Sequence, residues 1–251
     1  MPSIDSLRVK IFADGADLDA IVKLRSNPLV KGFTTNPTLA RKAGVTDYEA
    51  FGRKVLAAVP DVPVSLEVFA DEFDEMGWQA RTIAGWGANV NVKIPVTNTR
   101  GEFAGKLIRE LSADGVAVNV TAILTLDQVR KVVDCLDPET PAIVSVFAGR
   151  VADTGVDPVP LMADAVKILA RRPKAELIWA SPRELLNVFQ ADAIGCHIIT
   201  VTPDILAKLA MVGKNLDAYS IETVEMFRKD AVAAGFTIKR RDSSPRTAAR
   251  T

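Results

Sequence analysis

The chain is poor in the residues that build metal centres and disulfide frameworks. Its 251 residues include two cysteines and one histidine. Cys135 and Cys196 lie far apart, with no CxxC pair and no Cys/His cluster. A zinc site or a disulfide scaffold is therefore not expected, and a reducing cytoplasm is the expected compartment. Long hydrophobic runs are missing as well. The longest apolar stretch, residues 142–148, is interrupted by Ser145, so nothing is expected to span a bilayer. The first ten residues contain Asp5 and no greasy segment, so no secretory leader is expected. Net charge is also missing, because 31 basic residues balance 31 acidic ones. Only the end departs from this balance. Lys239–Thr251 holds five basic residues and one acid, which leaves a body of net negative charge. Such a body does not suit nucleic acid, and neither nucleic acid nor a membrane is an expected partner. The tail, residues 239–251, is rich in Ser, Arg, Thr and Pro and is expected to be frayed outside a domain of residues 1–238. A dinucleotide fingerprint is absent too. Gly85-Trp86-Gly87 lacks the third glycine and precedes a strand, not a helix.

The remaining composition, 48% apolar and 25% charged, is that of a globular chain able to bury a core. Short β-branched runs fall near 9–13, 32–35, 64–69, 89–95, 117–121, 142–147, 176–180 and 198–201. Helix-period stretches lie between them at 16–24, 48–58, 72–85, 102–113, 126–135, 160–170, 182–191 and 203–208. A last amphipathic segment, 220–234, puts Ile221, Val224 and Phe227 on one stripe. Unbroken strand–helix alternation means parallel pairing. Eight units of about 27 residues predict a single (β/α)8 TIM barrel with an extra C-terminal helix.

Successive strand residues point to opposite faces. In residues 89–94, Val90, Val92 and Ile94 share one face, and Asn89, Asn91 and Lys93 the other. The same alternation groups Ser65, Glu67 and Phe69, then Asn119 with Thr121, then Ser145 with Phe147. Asp14, Asn36 and the pair Trp179 and Ser181 close three other strands. Asp14, Asn36 or Ser181 taken singly reads equally well as a helix cap. A set of polar strand ends around one rim marks the mouth where barrel enzymes place their chemistry.

Lys93 is the sharpest signal, because lysine is rarely buried. It stands between Val92 and Ile94 within a strand. A snorkelling lysine at a strand end is the plain alternative. The chemical reading is a Schiff-base nucleophile. With a pKa of about 10.4, only on the order of 0.04% of a free lysine is neutral at pH 7. Shelter from water raises that fraction. Asp14 and Glu67 are then expected near the amine as proton carriers, not in contact with it. His197 reads as a structural or exposed residue, and Cys135 and Cys196 as small apolar side chains. Trp78 and Trp86 read as packing residues of the outer helices.

Seven segments in order carry a family resemblance: Phe12-Ala-Asp14-Gly-Ala-Asp17, Gly32-Phe-Thr-Thr-Asn36-Pro37-Thr38, Ser65-Leu-Glu67-Val68, Val92-Lys93-Ile94-Pro95-Val96-Thr97, Asn119-Val-Thr121, Ser145-Val-Phe147-Ala-Gly149-Arg150 and Ala180-Ser181-Pro182-Arg183. The sequence resembles the transaldolase family, especially its short branch, which also contains fructose-6-phosphate aldolase. The resemblance implies a class I aldol mechanism with neither metal nor other cofactor, acting on small sugar phosphates. It makes Lys93 the imine-forming lysine and Asp14 the acid/base. It assigns Glu67 and Thr121 to a water that carries protons. Asn36, Asn119 and Ser145 would hold Asp14 or the dihydroxyacetone hydroxyls. Arg150 and Arg183 would bind phosphate, with Phe147 and Ser181 also lining the substrate site. The hydrolytic branch typically has Gln and Tyr where this chain has Glu67 and Phe147, which points to transfer. Aldol cleavage releasing free dihydroxyacetone, or a sugar-phosphate-binding barrel without chemistry, are the other readings. Gly15 replaces a usual hydroxyl residue after Asp14, and Pro182 a common aromatic one. The resemblance further implies a homo-oligomer, a pentamer or decamer, assembled through the last helix.

Overall fold

The structure, a computed structural model, describes residues 3–239. Residues 240–251, which hold nearly all of the basic tail, lie outside the described residues. Eight strands close into a parallel barrel in chain order. They are β1 (Lys10–Asp14), β2 (Val30–Thr34), β3 (Val64–Glu67), β4 (Val90–Pro95), β5 (Val118–Ile123), β6 (Ala142–Val146), β7 (Ala175–Trp179) and β8 (Ile198–Val201). The barrel unit carries ten α-helices. They are α1 (Leu18–Arg25), α2 (Pro37–Lys42), α3 (Tyr48–Ala58), α4 (Phe73–Ala84), α5 (Gly105–Ala113), α6 (Leu126–Val133), α7 (Ala148–Ala152), α8 (Pro158–Leu169), α9 (Leu186–Ala193) and α10 (Pro203–Ala207). The expected TIM barrel is thus the fold. No described helix is long and apolar enough to cross a membrane.

Alternation along the strands builds the two faces. Val64, Leu66, Val92, Ile94, Val118 and Val120 are fully buried apolar residues on alternate strand positions. Their neighbours Ser65, Glu67, Lys93, Asn119 and Thr121 take the other face. Phe12 forms an interior cluster with Ile143, Ile178, Ala180 and Ile198, against which Phe147 packs. The partner of Phe12 on β2 is Gly32, and a Cβ there would lie 2.6 Å from the Phe12 ring. Only glycine leaves room for that ring.

Helix starts follow their caps. Asp17, Asn36 and Asp47 each accept a backbone N–H of the helix that follows, and Thr125 with Gln128 forms a capping box. Two short helices, α2 and α7, lie outside the predicted stretches, because five or six residues show no readable period. The helix expected from residue 102 begins at Gly105. Residues before it instead form a turn with an antiparallel Thr97–Phe103 bridge. The helix expected from Pro182 begins at Leu186.

Other expectations need correction. Trp78 is 65% exposed and packs no core. Trp179 is fully buried, but Ile178 and Ala180, not Trp179, join the interior cluster. His197 is half-buried, and its Nδ1 accepts the Leu177 backbone N–H at 3.0 Å, so it is structural. Cys135 and Cys196 are buried and unpaired, and burial pushes the Cys196 thiol up to about 12.

Residues 211–239 belong to a second compact unit. Its helix α11 (Leu216–Ala233) starts four residues before the expected position, where Asn215 caps it by accepting Ala218 N–H. Leu216, Ile221, Val224, Met226, Phe227 and Val232 on this helix are all exposed.

Candidate active site

A cavity of about 440 Å³ opens at the C-terminal ends of the strands. Asp14, Asn36, Glu67, Lys93, Thr121, Ser145, Phe147, Arg150 and Ser181 line it. Residues spread over 168 positions of sequence thus converge, because each strand delivers its last inward side chain to one rim.

Lys93 is 7% exposed. Its Nζ donates to the Thr35 carbonyl oxygen at 2.7 Å and to Glu67 Oε2 at 2.8 Å. The register puts Glu67 opposite Lys93, and Lys93 opposite Asn119. Glu67 therefore touches the ammonium directly, where the sequence suggested separation. Parallel neighbours at the same height bring their side chains together, and this pairing compensates the buried charge.

Asp14 accepts a hydrogen bond from Thr34 Oγ1 at 2.8 Å, and Thr34 Oγ1 lies 2.5 Å from Thr200 Oγ1. Burial holds the Asp14 carboxyl above the usual carboxylate range. The Thr34 hydrogen bond and the Lys93 charge act in the opposite sense. A hydroxyl from β2 thus holds the Asp14 carboxyl. Thr34 and Thr200 went unpredicted. Thr34 had a visible signal, since it stands two positions before Asn36 and so on the same strand face. Asn36 does not bond Asp14. Its Oδ1 caps α2 by accepting Leu39 N–H.

Asn119 is fully buried and does not line the cavity. Its amide donates to Ser65 Oγ at 3.0 Å, and its Oδ1 accepts from Ser145 Oγ at 2.7 Å. It orients Ser145 and touches neither Asp14 nor the cavity. Thr121 Oγ1 is buried with no partner among the described residues. Ala122 and Ser181 have positive φ, 62° and 58°. Such backbone is uncommon outside glycine. At each kink alternation breaks, and two successive residues, Thr121 with Ala122 and Ala180 with Ser181, face the cavity. Gly149 accommodates the second kink, for a Cβ there would lie 1.5 Å from the Ser181 carbonyl oxygen.

The two arginines differ. Arg150 lies over the Phe147 ring, 5.0 Å from its centroid, and lines the cavity. Arg183 does not line it and is paired with Asp153 instead. That pairing holds Asp153 below the usual carboxylate range.

Fold and site together define a (β/α)8 barrel whose mouth gathers a sheltered lysine and two carboxylates. Residues 11–240 match the family described as Transaldolase/Fructose-6-phosphate aldolase. A probable transaldolase of Dehalococcoides mccartyi is 37% identical over 202 residues, covering 80% of this chain and 90% of the relative. A probable transaldolase 2 of Listeria monocytogenes is 36% identical over 203 residues, covering 80% and 88%. The chain belongs to the transaldolase/fructose-6-phosphate aldolase family. Among solved structures, a putative phosphonomutase from Burkholderia cenocepacia superposes with a TM-score of 0.56 at 11% identity, covering 88% of this chain and 94% of that one. At that identity the likeness concerns the fold alone.

Proposed function

We propose that the chain is a class I transaldolase, moving a dihydroxyacetone unit from a ketose phosphate to an aldose phosphate. The observation that carries this reading is Lys93 Nζ, sheltered in the barrel mouth between the Thr35 carbonyl and Glu67. Glu67 takes a proton from Nζ, and the free amine adds to the ketose C2 carbonyl. The carbinolamine then loses its oxygen as water. The Glu67 carboxyl supplies the proton, with the Thr121 hydroxyl beside the departing oxygen. Asp14 takes the proton of the C4 hydroxyl. The C3–C4 bond breaks, its electron pair passes into the iminium, and an aldehyde leaves. The resulting enamine attacks the carbonyl of the acceptor aldehyde, and Asp14 protonates the new alkoxide. Water then hydrolyses the iminium and frees Lys93. A raised Asp14 carboxyl suits both of its tasks, because an acid/base works best with a pKa near the working pH. The reaction as written calls for no metal ion.

Glu67 and the apolar Phe147 favour transfer over release of free dihydroxyacetone. The phosphate of the sugar is assigned to Arg150, whose planar fork suits phosphate oxygens. We assign the exposed apolar residues of α11 to contacts between copies of the chain, in a homo-oligomer working in the cytoplasm.

Borohydride reduction in the presence of fructose 6-phosphate tests the core of this reading. A mass adduct at Lys93, absent in Lys93→Ala, is expected. An unmodified Lys93 together with tight sugar-phosphate binding would instead make the barrel a binding protein.

A further inference from the structure

Lys93 Nζ has two acceptors, the Thr35 carbonyl oxygen and Glu67 Oε2. These acceptors belong to neighbouring strands whose shared ladder is short. β2 and β3 are in register only at Phe33 with Val64 and Thr34 with Ser65. Next along the rim, Thr35 N donates to the Ser65 carbonyl at 3.0 Å. Beyond that bond, the Glu67 backbone N–H finds no strand carbonyl. It donates to the Tyr48 hydroxyl oxygen at 2.9 Å. Thr35, whose carbonyl oxygen holds the lysine, is tied to β3 by its own hydroxyl, Thr35 Oγ1 donating to the Ser65 carbonyl at 3.0 Å. The phenol thus holds the backbone of Glu67, and the Thr35 hydroxyl ties the end of β2 to the same strand.

The phenol is itself well fixed. Tyr48 is the first residue of α3, whose start is capped by Asp47. Its ring meets Phe69 edge-on at 5.6 Å and lies 6.3 Å from Phe51 and 6.1 Å from Trp86, centroid to centroid. Burial holds its hydroxyl above the ordinary phenol range, so it remains a neutral hydrogen-bonding group at working pH.

We propose that Tyr48 is a positioning residue for the reaction at Lys93: its hydroxyl pins the end of β3, and with it the Glu67 carboxylate that accepts from the lysine nitrogen. The proposal rests on the imine reading above. Tyr48 touches no substrate and acts through Glu67. Small displacements of a nucleophile and its proton acceptor reduce the rate of the chemical step more than they weaken binding.

The test compares steady-state kinetics and borohydride trapping at Lys93 with fructose 6-phosphate in four proteins. These are the wild type, Tyr48→Phe, Thr35→Val and Trp86→Phe. Tyr48→Phe keeps the ring and its packing. Its kcat and trapping rate are expected to fall roughly tenfold or more, with the donor KM within about twofold of wild type. Thr35→Val removes the other hydroxyl that ties these strand ends together and is expected to show the same kcat-only loss. It carries the test if Tyr48→Phe folds poorly. Trp86→Phe disturbs the same aromatic cluster without touching the hydroxyl. It is expected to change the thermal midpoint while leaving kcat unmoved. Wild-type kcat and trapping in both Tyr48→Phe and Thr35→Val would overturn the proposal. So would a loss confined to KM, or an equal kcat loss in Trp86→Phe. If the wild type itself is not trapped at Lys93, the imine reading falls first and this proposal with it.

Discussion

Arg183 grips Asp153 with two donors, Nε at 2.8 Å and Nη2 beside it, while Arg150 lines the cavity with no such partner among the described residues. The guanidinium of Arg183 is thereby largely committed. Arg150→Ala is expected to raise KM for a phosphorylated acceptor about tenfold to a hundredfold, the loss of one or two charge-assisted hydrogen bonds. Unphosphorylated glyceraldehyde should be much less affected. Arg183→Ala should cost less than Arg150→Ala. KM measured with both acceptors checks this, and the reverse order would return Arg183 to the phosphate.

Asp14 gives a prediction that joins stability to catalysis. Its carboxyl is raised by burial, so the folded state holds this proton more tightly than the unfolded chain does. The corresponding stability is complete below the ordinary carboxylate pKa of about 3.9 and is lost as pH rises through the folded value. Asp14→Asn removes the ionisation. It should melt above the wild type at pH 7, an advantage that disappears in acid, while activity falls by ~10²–10⁴. Melting curves at pH 3 and pH 7 read the sign. A variant that melts lower than wild type at pH 7 would contradict it.

Phe147 packs against the interior cluster and lies beneath Arg150. Phe147→Tyr places a hydroxyl in the lining of the cavity. Release of free dihydroxyacetone from fructose 6-phosphate, with no acceptor present, should rise relative to transfer. An enzymatic assay for dihydroxyacetone measures this ratio, and an unchanged ratio would place Phe147 outside the partition.

Gly149 has no room for a side chain. A Cβ 1.5 Å from the Ser181 carbonyl forces either α7 or the end of β7 to move. Gly149→Ala is expected to destabilise the protein by about 3 kcal/mol. Denaturant titration should show this loss, and an unshifted midpoint would argue that this rim relaxes freely.

The exposed apolar residues of α11 lead to a fifth solution measurement, of mass. Light scattering is expected to give a multiple of the 27.0 kDa chain. A truncation ending at residue 210 should lower that multiple. A monomer mass for the intact chain would leave α11 with another role.

The barrel and much of its mouth were legible in the sequence because both rest on period two. Lys93 between Val92 and Ile94, and Glu67 beyond Leu66, needed only strand alternation to be placed on the inner face. Neighbour relations were not legible. That Glu67 touches Lys93, and that Thr34 holds Asp14, depends on register between strands, which one strand's pattern does not contain. The left-handed turns at Ala122 and Ser181 also hide from alternation. They bring Ala122 into the cavity, put Ala180 there beside the expected Ser181, and set the approach to Gly149. Asp153 was invisible as the partner of Arg183 because thirty residues separate them.

The Ser65–Asn119–Ser145 chain ties β3, β5 and β6 beneath the cavity. Each hydroxyl or amide there is the partner of the next, and the chain reaches the cavity only at Ser145. Replacing one alone strands its neighbours, so descendants of this protein can abandon the rung only by exchanging all three together. Drift in the barrel floor is thereby coupled across three staves.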